Sequence, residues 1–231
     1  MVLPNGTRNF TIEVKYYLSC YRAWEDADRA IQTLRGQKIS YTDWRVQWAG
    51  ICAIMKSSVH VMLVDAKRCF STELRDSLKA RFRLLGEHKS SYPIFWQFID
   101  RERHNILKEY QFSAYAEAIA DPDNDGKDLP TLFSSMMAER ELRLKGGLYD
   151  GRLALDVADE ASQWLKDYLE ETVRLGGFMP DERIQSDGFL WHRVPKADLA
   201  ATAPWWAAPD DALGDAGPET HEHPVKPPQP E

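Results

Sequence analysis

The sequence predicts an all-α fold: an antiparallel four- to five-helix bundle with a small β-hairpin insertion before the last helix and a disordered C-terminal tail. Three observations predict it. From Phe10 toward Ala120, and again from Ala161 to Leu175, apolar residues recur at steps of three and four, the spacing that lines one face of a helix. Between those stretches Gly146, Gly147 and Gly151 punctuate a short apolar alternation, which reads as two small strands. Beyond residue 197 the pattern ends, and Asp198 to Glu231 holds seven acidic residues against one base, Lys226, with seven prolines from Pro204 onward. Residues 1–197 are therefore the expected bundle domain, and 198–231 an acidic, Pro-rich flexible tail.

Phe10, Val14, Tyr17, Leu18, Tyr21, Trp24, Ala27, Ile31 and Leu34 form the first stripe, closed by Gly36 as a C-cap residue. Thr42 or Asp43 is a suitable N-cap for a second helix through Trp44, Trp48, Ile51, Met55, Val59 and Leu63 toward Lys67. Ser71 caps a third stretch, Thr72 to Leu85, which either stands alone or continues the second as one bent helix. Pro93 fits the first turn of the next helix, which carries Phe95, Trp96, Phe98, Ile99, Ile106 and Leu107 and whose pattern extends toward Ala120. Strands are expected near Leu142–Leu144 and Arg152–Leu155. Asp156 or Asp159 then starts the last helix, which Gly176-Gly177 ends.

Composition narrows the function classes. Eight Trp, nine Tyr and nine Phe in 231 residues supply enough apolar surface for a packed core. The N-terminus lacks a basic start followed by an apolar run, and Ile51–Val64, interrupted by Lys56 and His60, falls short of the ~20 apolar residues that a membrane span requires. The expectation is a cytoplasmic protein with no membrane partner. Cys20, Cys52 and Cys69 have no C-x-x-C spacing and read as small core residues. No phosphate-binding, dinucleotide-binding, nucleophile-elbow or zinc-protease motif is present, so no cofactor is expected.

Charge is uneven. The formal net charge is −7, but the tail holds most of it and residues 1–197 carry only about −1. Within the body, Lys67–Lys108 has ten Lys and Arg against five Asp and Glu, which makes a basic face there plausible.

The polar stretch Glu102–Tyr110 interrupts an otherwise apolar helix. On a 3.6-residue period Glu102, Ile106, Glu109 and Tyr110 share one side, Arg101, Asn105 and Lys108 another, and Arg103 and His104 lie between. The plain reading is a solvated face.

Arg103-His104-Asn105-Ile106-Leu107-Lys108 resembles the signature of the HEPN superfamily of helical bundles: arginine, a polar neighbour, then a short spacer ending in histidine. Lys108 stands where that histidine would be. The resemblance extends loosely over Phe10 to Leu175. It implies a homodimer whose paired motifs act on RNA without metal, with Arg103, His104 and Lys108 as catalytic candidates and Glu102 and Tyr110 in support; the basic stretch adds Arg101, Arg83, His88 and Lys79 as RNA-binding candidates. A lysine at its ordinary pKa of ~10.4 is a poor general base, so the expected function is RNA or partner binding of the toxin and phage-defence kind, with cleavage weak or lost. The alternatives are an active metal-independent endoribonuclease and a protein-interaction scaffold that docks a partner through Trp205 and Trp206.

Two further patterns have simpler readings. Arg83 to His88 repeats the Arg-to-His spacing, but Leu84 follows the arginine and Gly86 is expected to end the helix. Asp121-Pro122-Asp123-Asn124-Asp125-Gly126 begins like a calcium loop, yet its twelfth position is Leu132 rather than glutamate and its eighth is Asp128. It reads as a polar loop. With His221-Glu222-His223 taken as solvated tail, no metal site is expected.

Overall fold

The computed structural model describes residues 10–37, 39–118, 140–186 and 190–194. The chain divides into two compact units, Met1–Arg193 and Val194–Glu231. The acidic loop from Asp121, the Trp205-Trp206 pair and the His221–His223 stretch lie outside the described residues.

The first unit is mostly helical with small antiparallel strands. Its elements run β1 (Phe10–Glu13), α1 (Val14–Tyr17), α2 (Ser19–Gly36), α3 (Tyr41–Arg68), α4 (Thr72–Glu87), a central helical run over residues 94–109 that contains α5 (Arg101–His104), β2 (Ala114–Ala118), β3 (Arg140–Leu144), α6 (Ala154–Leu175), β4 (Arg183–Ser186) and β5 (Trp191–Arg193). α3 packs against α2 and α4, and α6 packs against the same two helices and against the start of the central run. Their shared interior is filled by Leu18, Ile31, Trp48, Met55, Leu78, Phe95, Ile99 and Leu165, all essentially inaccessible to solvent.

The helix starts follow local chemistry. α3 begins one or two residues before Thr42 and Asp43 because Ser40 is its cap: Ser40 Oγ accepts from the Asp43 amide at 3.1 Å and donates to the Asp43 carboxylate at 2.7 Å. Ser71 caps α4 by accepting from Leu74 N at 3.3 Å, and the chain breaks at Cys69–Ser71, so α3 and α4 are separate helices. α2 has no cap of its own, since Leu18 occupies that position. Asp65 on α3 supplies one: its buried carboxylate accepts from the Cys20 amide at 2.8 Å.

Four expectations are corrected. Phe10–Glu13 is a strand rather than the first helical turn, since Thr11 and Ile12 favour extended backbone and a partner awaits them: Phe10 pairs with Ser186 and Glu13 with Arg183. β4 and β5, which the sequence pattern missed, complete this three-stranded sheet in the order β1-β4-β5. The central run stops at Glu109 instead of extending to Ala120, because Tyr110 turns left-handed and residues from Ala114 extend. Finally, Leu142–Leu144 belongs to a strand that pairs with Ala114–Ala118, not with Arg152–Leu155. The chain does return past Leu144, where Gly151 N donates to Leu144 O and Leu144 N to Arg152 O, but only the bridge Arg143 to Leu153 forms before α6 begins at Ala154.

α3 is long and apolar enough to cross a membrane by length and composition, and half of its most apolar window is buried inside the protein. Cys20 and Cys52 lie in the core and Cys69 is half-buried, all three as free thiols. Burial pushes all three thiols above their ordinary pKa. Trp191 packs edge-on against Tyr17, with ring centroids 5.4 Å apart.

Candidate functional site

The central run combines three geometries. Ile94–Asp100 and Asn105–Glu109 are π-helical, and the α-helical turn Arg101–His104 lies between them. π-helical turns are rare and frequent at functional sites. Phe95, Phe98, Ile99, Glu102 and Ile106 are buried, so Glu102 belongs to the inward stripe. The residue is 2 % exposed, and its Oε1 accepts from Trp48 Nε1 at 3.0 Å and from Ser113 N at 3.2 Å. Glu102 thus ties α3 and the start of β2 to the central run and is turned away from the surface that carries Arg103.

The remaining residues of the motif separate around the helix. Arg103 is half-exposed, and His104 and Lys108 are exposed. The sequence pattern grouped Glu102 with Glu109 and Tyr110; the structure parts them, because wider π turns carry residues 105–109 out of the 3.6 period and Tyr110 leaves the helix at φ 53°. Arg101 is half-buried with its guanidinium pressed onto the backbone of Gly147, where a Cβ would lie only 1.9 Å from Nη1. Gly147 has φ +77°, so both its conformation and this close approach call for glycine.

A cluster that the motif did not include adjoins Arg103. Lys56, one turn before His60 on α3, is 9 % exposed and pairs with Asp100 at 2.7 Å. Its ammonium also lies 4.3 Å from the Phe95 ring and 4.9 Å from that of Trp96. Asp100 is thereby committed to Lys56 rather than to Arg103, three residues further along the same helix. The His60 ring is 5.8 Å from that of Phe82 on α4. Partial burial holds the His60 imidazole below its ordinary pKa, with the Lys56 and Arg103 charges adding to the effect and Asp100 opposing it. Lys56 and His60 were visible in the sequence as polar breaks, four residues apart, in the apolar stretch of α3. Nothing in that spacing revealed which helix they face.

The basic candidates on α4 stand apart. Lys79, Arg83 and His88 are exposed; Arg83 pairs with Glu87 at 3.6 Å, and Gly86 lies inside the helix rather than ending it. No interaction among the described residues joins them to Arg103.

Against family models, curated proteins and solved structures, the chain finds no match.

The geometry still says what the Arg103 face can do. Asp100 is engaged by Lys56 and Glu102 by Trp48 and Ser113, so Arg103, His104 and Lys108 are left without a paired carboxylate among the described residues. Three cationic or ionisable groups thus face outward, with the exposed Glu109 next to Lys108 in sequence. Burial and the nearby Lys56 and Arg103 charges favour the neutral form of the His60 imidazole.

The same shift makes a stability prediction. A histidine whose pKa is lower in the folded state takes up its proton more readily when unfolded. Stability present above the ordinary value of 6.5 is then lost as pH falls through the lower folded value. His60→Gln should flatten this part of the acid slope, as read by thermal melts at a series of pH values; an unchanged slope would exclude His60 as its source.

Proposed function

We propose that the protein is an antiparallel, HEPN-like helical bundle, with a β-hairpin insertion before the last helix, that binds RNA in the cytoplasm, in the manner of toxin and phage-defence bundles, with cleavage weak or lost. The observation that carries this reading is the segregation of charge on the central run. Asp100 and Glu102, the acids on its N-terminal side, are drawn into internal contacts, while Arg103, His104 and Lys108 stay outside, with the exposed Glu109 beside Lys108 as the opposing charge. A cationic surface of this kind takes up phosphates with release of counterions. Lys108 in the place of the motif's histidine supports binding over proton transfer. Self-association through this face, bringing two copies of Arg103 together, belongs to the same proposal, as does a flexible acidic tail at residues 198–231.

The test is retention of a labelled RNA pool over a range of salt concentrations, with Arg103→Ala and Lys108→Ala beside the wild type. Retention should weaken with salt, and each variant should reduce the log–log salt slope by about 1 per lost phosphate contact. No retention at low salt would overturn the reading and leave a protein-interaction role, including one through Trp205 and Trp206.

A second reading, a metal-independent endoribonuclease, is favoured by His60, which lies within electrostatic reach of Arg103 and supplies a neutral imidazole. Cleavage in EDTA that is lost in both Arg103→Ala and His60→Gln would establish it in place of the first.

A further inference from the structure

We propose that Tyr110, backed by Arg45 and Phe112, is a stacking platform for an unpaired RNA base beside the Arg103 face; this rests on the RNA-binding reading. Tyr110 is the one non-glycine residue with positive φ among the described residues, at φ 53° and ψ 31°. That position follows the last residue of a helix, where glycine is the usual choice and a bulky side chain is strained. The strain does not serve the core, because Tyr110 is 71 % exposed. An unfavourable backbone held in place around a displayed ring is the mark of a functional position.

The ring is not displayed alone. The Arg45 guanidinium, from the first turns of α3, lies 5.1 Å from the Tyr110 ring, 4.7 Å from that of Phe112 and 6.0 Å from that of Tyr41. Phe112 meets Tyr110 edge-on at 5.5 Å, which fixes the tilt of the exposed ring. Tyr41 is anchored by donating its hydroxyl to Ala114 O at 3.2 Å and stacks on Trp44 with planes 8° apart. The assembly therefore joins α3, the end of the central run and the start of β2 into one aromatic surface.

Two polar atoms in this assembly are unsatisfied. Arg45 Nε and the indole N–H of Trp44, a residue 4 % exposed, are buried without a hydrogen-bond partner among the described residues. Arg45 has no carboxylate partner among the described residues. An exposed aromatic ring on a positively charged backing fits a flat heterocycle attached to a phosphate, since every base has a face to stack and every nucleotide a charge to neutralise. Lys108 precedes Tyr110 by two residues, which makes the platform a neighbour in sequence of the proposed phosphate surface.

The experiment measures fluorescence anisotropy of the full chain with a labelled single-stranded oligoribonucleotide of about ten nucleotides, and with an abasic oligomer of equal length. Tyr110→Ala should weaken binding of the intact oligomer about tenfold and leave the abasic one unchanged, while Tyr110→Trp should bind the intact oligomer like the wild type. Tyr110→Gly should show the same binding loss with a melting temperature at or above that of the wild type, because glycine relieves the backbone. Equal losses on both oligomers, or no loss on either, would overturn the platform. If Arg103→Ala still abolishes salt-sensitive binding in that case, the RNA reading survives without it. If the wild type binds neither oligomer, both fall.

Discussion

Replacing Glu102 by alanine should destabilise the protein by about 3–4 kcal/mol, because it strands the buried Trp48 indole N–H and the Ser113 amide and leaves a small cavity. Glu102→Gln keeps an oxygen acceptor in the same place and should cost about 1 kcal/mol, the loss of charge assistance to two hydrogen bonds. Urea unfolding of both variants checks the pair. The ratio matters more than either value, since equal losses would mean that shape, not the two acceptor contacts, decides. The same variants address function. A glutamate that takes part in chemistry would lose activity in the glutamine form at nearly full stability, whereas a glutamate that holds α3 to the central run would lose stability first. A Trp48→Phe and Glu102→Gln double-mutant cycle isolates the indole contact, because the two side chains touch and their effects should not add.

Asp65→Ala should cost about 2–3 kcal/mol. Asp65 is 7 % exposed, and its carboxylate accepts from the Cys20 amide at the start of α2, where free amides and the helix dipole both favour a negative charge. Leu18, at the cap position, has no side-chain acceptor, so nothing local replaces the lost contact. Asp65→Asn should retain part of the effect. Hydrogen exchange at Cys20 and Tyr21 supplies the check: protection there should fall more than in the middle of α3. Uniform loss across all helices would assign the effect to core packing instead.

The two cases show how far the sequence could be read. The stripes of α2, α3, α4 and α6 were legible because each buries one face at a regular period, and Ser71 was legible as a cap because its partner lies three residues away. Asp65 was not, since its partner Cys20 lies 45 positions earlier and nothing near either residue records the contact. β1 was absorbed into the first helix because Phe10 and Val14 are four residues apart; its true partner, Arg183–Ser186, lies at the far end of the unit. In the candidate site, Arg103, His104 and Lys108 fell where a polar helix face predicts, on the surface. Glu102 did not, as a 3.6-residue period cannot tell a solvated carboxylate from one that a buried indole receives. His60 was missed because it belongs to another helix and comes near Arg103 only through packing.

The cap that Asp65 provides also bears on the order in which the chain assembles. A helix capped from within its own sequence closes its first turn on its own timescale; α2 cannot, because the acceptor arrives only when the intervening loop has closed and α3 lies alongside. Loop closure is the slow, entropically unfavourable step, and its reward comes late. The start of α2 is therefore a reporter of docking rather than of helix nucleation: a peptide spanning α2 alone should be frayed at that end, and in the whole protein its first turn should order together with the α2 and α3 pairing.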